Sequence, residues 1–565
     1  MRRWLAIACV GLVALACTDG ENDLERTETA STDAARGTGA PDTTGPTEPW
    51  DPPEHRITIV DGQWVDRTTD EVFVPRGVNM VRFHDGRDST FVTHVFDREQ
   101  MSEDFAALAE RGYNTVRLFL DGCDTGEGCL TISREVPGLN PEYLDVVAEV
   151  LELADEHGLV LLLTANDLPD GGGYAERSDR GNSEHFPGYR NTAFLTEAGH
   201  REMVTYWGDL LQGLVERQAP LDAVFAWSIL NEHWLFAEQP PLSLDSGEVT
   251  TATGTYDVSD PDQKRAMVTD ATRAMIRDVS DEIRRHDPDG LVTMGFFAPK
   301  FPNETMIGGD WYVDTAPLVE DSALDFFDFH SYPGTDITIE AKAENFGMDE
   351  STPVLMGEVG PFIDQYPDIE RAALAVQRHI ADSCAVGFDG WLYWAYERLP
   401  MSDATWGFTD DGGRVLDALA PVNQPDPCTA TLADPNLVLG RPASASAALP
   451  ENPPALAVDG DISTSWVSGA HAPQRIEIDL DEPSTIATIR LRVDQHPPGD
   501  TVHLIETRDR SGTWSEVHRF EGDTEFFDVL EATFTPPLTD VDGVRITTES
   551  SPSWVAWADV EVRSP

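Results

Sequence analysis

Val224-Phe225-Ala226-Trp227-Ser228-Ile229-Leu230-Asn231-Glu232 is a nearly unbroken apolar run that stops at an amide and a carboxylate. A short apolar run with a polar stop reads as a strand buried on both faces, and such strands belong to parallel sheets covered by helices. Val354-Leu355-Met356-Gly357-Glu358 repeats the pattern. Outward from these two, comparable runs lie at 72–79, 115–119, 160–164, 292–296, 326–330 and 390–394. Most are followed by a stretch of helical period. Asp97 can cap the first helix, with Gln100 completing a capping box and Gly112 ending it. Pro141 opens a helix over 141–157 that Gly158 stops, and longer helices are expected over 197–216 and 262–286. Eight strand–helix units within 56–424 predict an α/β fold of the (β/α)8 TIM-barrel type. An open doubly wound sheet is the alternative, but no glycine-rich phosphate loop follows any of the strands.

The chain has 565 residues, of which 40% are hydrophobic, enough for a large core. Lys and Arg number 39 against 101 Asp and Glu, a net charge of −62. Such a surface repels nucleic acid and anionic polysaccharide, so neutral partners are expected and nucleic acid is not.

Arg2 and Arg3, an apolar run from Trp4 to Ala16, and then Cys17 read as an export signal too short to span a bilayer. Ala14-Leu15-Ala16 fits an ordinary cleavage site, and the same residues before Cys17 resemble a bacterial lipoprotein signal, although that family usually has Leu where Ala14 stands. A lipidated Cys17 on a cell-surface lipoprotein is expected, touching membrane only through its anchor; secretion is the alternative. Residues 18–55, rich in Thr, Asp, Glu, Gly and Pro, read as a disordered acidic tether. Cys123, Cys129, Cys384 and Cys428 remain, and four cysteines allow three pairings. Cys123–Cys129 would close a small loop and Cys384–Cys428 would staple the end of the large domain. Their spacings match no zinc pattern, so they read as structural disulfides.

In a barrel, chemistry sits at the C-terminal ends of the strands. Glu232 and Glu358 occupy the ends of strands four and seven. Hydrolysis of a glycosidic bond needs such a pair, one carboxyl to protonate the leaving oxygen and one to attack, with environment setting their pKa values apart. Alone, either would pass as an ordinary loop glutamate among 101 acidic residues.

Over about residues 56–420 the sequence resembles glycoside hydrolase family 5, the cellulase family of retaining barrel enzymes. Val74-Pro75-Arg76-Gly77-Val78-Asn79 is similar to that family's first strand and Asn114-Thr115-Val116-Arg117 to its second. Asn231-Glu232, Phe329-His330-Ser331-Tyr332, Glu358 and Trp391-Leu392-Tyr393-Trp394 carry the rest. The resemblance implies Glu232 as acid/base, Glu358 as nucleophile and Arg117 as the nucleophile's hydrogen-bond partner. It implies Asn231 on the sugar 2-hydroxyl, His330 orienting the acid/base, Tyr332 orienting the nucleophile, and Trp394 stacking on sugar, with Trp391 open to a core role. Two departures stand out: Ala165-Asn166-Asp167 replaces a common histidine after strand three, and His233 replaces a frequent proline. An insertion over 235–261 would form a cleft wall.

Residues 425–435 read as a linker. After it come alternating stretches at 475–480, 488–493, 501–507 and 555–562, a β-sandwich pattern. Residues 436–565 resemble the discoidin-like (coagulation factor 5/8 type C) domain, which includes family 32 carbohydrate-binding modules. Asn436-Leu437, Ala443-Ser444-Ala445-Ser446, Ala457-Val458-Asp459-Gly460-Asp461 and Thr464-Ser465-Trp466 carry the likeness. It implies Trp466 and Trp514 in the core and a structural calcium at Asp459, Asp461, Thr464 and Glu561, where a turn with capping aspartates reads almost as well. Trp554 is the candidate glycan-stacking residue.

The expectation is a monomeric retaining β-glycoside hydrolase acting on a glucan- or mannan-type polysaccharide without a catalytic cofactor, its carboxyls about 5–5.5 Å apart. A surface carbohydrate-binding lipoprotein with a non-catalytic barrel is the alternative, against which both glutamates and Arg117 argue.

Overall fold

The computed structural model describes residues 53–565 apart from 82–89, 179–188, 298–303, 306–312, 316–317, 319–322, 335–336, 349–350 and 398–404. The export signal, Cys17 and the tether up to residue 52 lie outside the described residues. Among the described residues, no helix is long and apolar enough to cross a membrane.

Short parallel strands form one sheet that closes on itself. In chain order they are Arg76–Met80, Thr115–Phe119, Val160–Thr164, Val224–Ser228, Val292–Thr293 with Gly295–Phe297, Phe327–His330, Val354–Val359 and Gly390–Tyr393. Val292–Thr293 pairs with strand four and Gly295–Phe297 with strand six, so the two halves of strand five join the ends of the row. The first strand starts later than the run at 72–79 suggested. Glu71–Val72 belongs to an antiparallel hairpin with Ile57–Val60 and Gln63–Asp66, and Pro75, which has no N–H to give a ladder, separates the two.

That hairpin plugs the N-terminal end of the barrel. Trp64 packs edge-on to Phe225 and Phe326 at 5.5 and 5.1 Å. His55, counted with the tether from its sequence, is fully buried and bonds Asp287 at 2.8 Å. The folded part therefore begins before residue 56. With one end sealed by apolar packing, only the C-terminal strand ends are left for polar chemistry.

The outer layer is helical. Asp97 caps Arg98–Glu110 by accepting from the Gln100 amide, but the Gln100 side chain donates to Glu103 instead of reaching back, so only half of the expected capping box forms. Pro141–Glu156, Glu197–Glu216 and Pro261–His286 fall within a residue of the sequence reading. Within the 235–261 insertion, strands Glu248–Thr250 and Thr255–Asp257 pair as a small hairpin. Cys123–Cys129 and Cys384–Cys428 are bonded.

The C-terminal domain is an antiparallel β-sandwich around its own core, which includes Trp466, Ile476, Val544 and Trp557. The stretches read as separate strands at 475–480 and 488–493 are one bent strand, Gln474–Val493, whose register shifts between Asp479 and Thr488. Bulges of this kind let one strand turn a corner between packed faces. Trp466 is buried as expected. Trp514 is not a core residue: it lies half-buried beneath the Arg545 and Arg508 guanidinium groups, at 4.4 and 5.4 Å.

Candidate active site

Seven side chains converge at the C-terminal end of the barrel. Arg117, on strand two, is fully buried and is the hub. Its Nη1 donates to Asn79 Oδ1 and to Glu358 Oε1, each at 2.9 Å. Its Nη2 donates to Asn231 Oδ1 at 2.7 Å. Tyr332 donates to the other oxygen of Glu358 at 2.6 Å. Both Glu358 oxygens thus face donors, which fixes the carboxylate plane.

Glu232 stands opposite and is also buried. His330 Nδ1 lies 2.8 Å from Glu232 Oε1 and 3.5 Å from Glu358 Oε1. Burial opposes a charge on His330, but the Glu358 and Asp328 carboxylates outweigh it and raise the imidazole to about 10, so it is a donor. Burial pushes the Glu232 carboxyl up to about 7, against the His330 hydrogen bond, and the neighbouring Glu358 charge adds to the rise. Two carboxyls in one site therefore differ in surroundings: Glu358 touches a permanent cation, and Glu232 touches none nearer than the imidazole. Glu232, His330 and Glu358 present ligand atoms within 4.8 Å of one another. This cluster could hold a metal, but the Arg117 guanidinium already supplies the positive charge there, and Tyr332 takes the remaining Glu358 oxygen.

A pH consequence follows. If Glu232 acts as an acid it works protonated, so kcat/KM is expected to fall tenfold per pH unit once pH rises past about 7. A pH–rate profile on any cleaved substrate checks this, and a falling limb near the ordinary 4.5 would contradict it.

Trp394 is buried beside Phe119, edge-on at 5.9 Å, and the Arg117 guanidinium lies over the same Phe119 ring at 5.0 Å. Tyr332 packs on the same cluster. Trp391 is a core residue, its indole N–H donating to Ser383.

Three site residues escaped the sequence reading. Asp328 is fully buried, 3.7 Å from Arg117 Nε and 3.5 Å from His330 Nε2. It precedes His330 by two positions on one strand, and that alternation is the signal that marks it as inward-facing. Adding a Cβ at Gly357 would place it 1.9 Å from Asp328 Oδ1, so the residue before Glu358 must be glycine for this carboxylate to fit. Asn79, quoted only as part of a strand, ties strand one to the site through Arg117 and through the Gly357 carbonyl at 2.7 Å. Arg190 donates to the carbonyls of Glu232 and Trp234 and pairs with Asp167.

The departures have physical accounts. Asn166 and Asp167 donate their amides to Asp121, which pins the loop after strand three, where glycoside hydrolase family 5 commonly has a histidine. His233 is buried against Thr272 and Phe194, and burial lowers it to about 3, so it is a neutral packing imidazole.

In the C-terminal domain Trp554 is 48% exposed, available to a flat ligand face. Of the four residues expected around calcium, Asp459, Asp461 and Thr464 share one turn closed by their own hydrogen bonds. Glu561 is engaged elsewhere, with Arg371 at 2.6 Å, Arg563 at 2.8 Å and Arg490 at 3.4 Å.

Residues 442–561 match the family model of the F5/8 type C domain, so the C-terminal sandwich is a domain of that kind. No curated protein matches the chain. Among solved structures, the endo-1,4-beta-mannanase from Rhizomucor miehei is 17% identical, with 66% of this chain and 99% of that one covered at a TM-score of 0.46. An exo-beta-1,4-mannosidase from Opitutaceae bacterium strain TAV5 is also 17% identical, covering 65% of this chain and 61% of its own at 0.44. The family 32 CBM from C. perfringens NanJ in complex with galactose is 23% identical, covering 22% of this chain and 93% of its own at 0.20.

Proposed function

We propose that the protein is a retaining β-glycoside hydrolase acting on a neutral β-linked polysaccharide of glucan or mannan type. The observation that carries this reading is the asymmetric pair: two buried carboxyls that bring an oxygen of each within 4.8 Å, one on a guanidinium and one raised to about 7. That approach is closer than the roughly 6.5–9.5 Å at which single-displacement pairs hold their attacking water, and it supports direct attack, the double-displacement geometry. Glu358 attacks the anomeric carbon while Glu232 protonates the leaving oxygen. Glu232 then takes a proton from the water that releases the sugar. In this reading Tyr332 and Arg117 hold the attacking oxygens, Asn231 contacts the sugar 2-hydroxyl, and Trp394 stacks on the pyranose. The exposed Trp554 would give the C-terminal domain a weak glycan contact of its own.

The test is a panel of neutral β-glucans, β-mannans and polyuronates incubated with the full-length protein, with products identified by mass. Cleavage of a neutral β-linked polymer is expected. Preference for a polyuronate, or release of nothing from the whole panel, would overturn the assignment.

A further inference from the structure

The barrel and the C-terminal domain share a buried interface on the helix that follows the nucleophile strand, Ile369–Cys384. Arg371 is 4% exposed and lies 3.1 Å from Asp559 and 2.6 Å from Glu561, both on the last strand of the sandwich. Asp368, which caps the helix, pairs with Arg563. The segment read as a linker lies along the same helix: Gln377 accepts from the Thr431 and Leu432 amides, Arg378 pairs with Asp434, and Cys384 is bonded to Cys428. Charges taken out of water are tolerated only with good partners, so a buried ion cluster of this kind commits the two domains to one arrangement. Domains joined for independent binding carry exposed linkers and small polar contacts instead.

The contact reaches the chemistry. Arg492, 5% exposed, donates to the carbonyls of Asp364 and Gln365 in the loop after strand seven. That loop leads directly from Glu358, and its Phe362 ring packs on Tyr332 at 5.2 Å. Tyr332 is the residue that donates to Glu358. From the same domain, Ile462 is buried against Gly334 in the loop after strand six, where an added Cβ would come within 2.7 Å of it. Ile462 joins Tyr366 and Ala372 in one apolar cluster, with Phe527 packed on it.

We propose that the C-terminal domain is a structural wall of the barrel site, and that Arg492 is a positioning residue. By capping carbonyls in the loop after strand seven, it holds Phe362 on Tyr332 and so Tyr332 on Glu358. This rests on the reading of Glu358 as nucleophile. A misplacement of about 1 Å at a reacting group costs up to about a hundredfold in rate, so removal of the cap should act on kcat more than on KM.

The experiment uses the full-length protein, Arg492→Met, Arg492→Lys, Phe362→Leu and, as a control on the outer face of the sandwich, Arg519→Gln. Hydrogen exchange is followed at 331–334 and 360–368, and kcat and KM are measured on the best glycan of the panel. Arg492→Met is expected to exchange faster at both loops, with the barrel helices unchanged, and to lose tenfold or more in kcat with KM within threefold. Lysine should restore part of both, Phe362→Leu should reproduce the kcat loss with the interface intact, and Arg519→Gln should match wild type. Unchanged loop exchange in a folded Arg492→Met protein, or kcat within twofold of wild type for Arg492→Met or Phe362→Leu, would overturn the proposal. If wild type cleaves no glycan the nucleophile reading fails, and the exchange data alone then decide whether Arg492 holds the loop.

Discussion

Glu358→Ala is expected to lower turnover by on the order of 10⁴-fold or more, because it deletes the attacking atom and leaves every other binding contact in place. The variant should still fold: the lost side chain leaves a small polar space beside Arg117, which keeps Asn79 and Asn231 as partners. That space is what makes the prediction sharp. Azide can enter it and attack the sugar from the face Glu358 used. Added azide should therefore restore turnover of an aryl β-glycoside and give the α-glycosyl azide. Near wild-type activity of Glu358→Ala would end the assignment, and so would a rescue product of β configuration.

Glu232→Ala should separate substrates by leaving group. A polysaccharide leaves as an alkoxide and needs the proton, so its cleavage should fall by about 10²–10⁴-fold. A dinitrophenyl glycoside leaves as a stable phenolate, so the first step should persist while release by water slows for lack of a base. The glycosyl-enzyme should then accumulate, visible as a burst of phenolate and as added mass on the peptide holding Glu358. Azide should speed release and give the β-glycosyl azide. An equal loss on both substrates with no burst would remove Glu232 from the acid/base role. The variant also frees His330 from its 2.8 Å partner, so a change in its titration accompanies the kinetic effect.

The strand ends were legible because parallel strands buried on both faces have no alternation to blur them. A polar residue after such a run marks where the chain leaves the core. That is why Glu232 and Glu358 could be named from the runs themselves, whereas Arg117, Asn231, His330 and Tyr332 were named through the resemblance to glycoside hydrolase family 5; the structure brings all six together. Asp328 was hidden by its surroundings in sequence: among 101 acidic residues an aspartate inside Phe327-Asp328-Phe329-His330 draws no notice until the period of two pairs it with His330. Arg190 carries no local signal at all, since it reaches the Glu232 carbonyl from a helix 42 positions away. The contacts between the domains carry no local signal either. The discoidin-like resemblance put Glu561 among the calcium ligands, and in the structure three arginines surround it, one from the barrel. Residues 425–435 have the composition of a free linker, but the groups that hold them, Gln377 and Arg378 among them, lie some fifty positions earlier. Periodicity reports which face of an element is buried; it does not report which distant charge will meet it.

The anomeric configuration of the first product tests the account most directly. Proton NMR of a cleaved β-linked oligosaccharide, recorded before mutarotation, should show the new reducing end appearing as the β anomer and equilibrating to α only later. Initial release of the α anomer would mean single displacement through a water between the two carboxyls, and would contradict the roles given to Glu232 and Glu358.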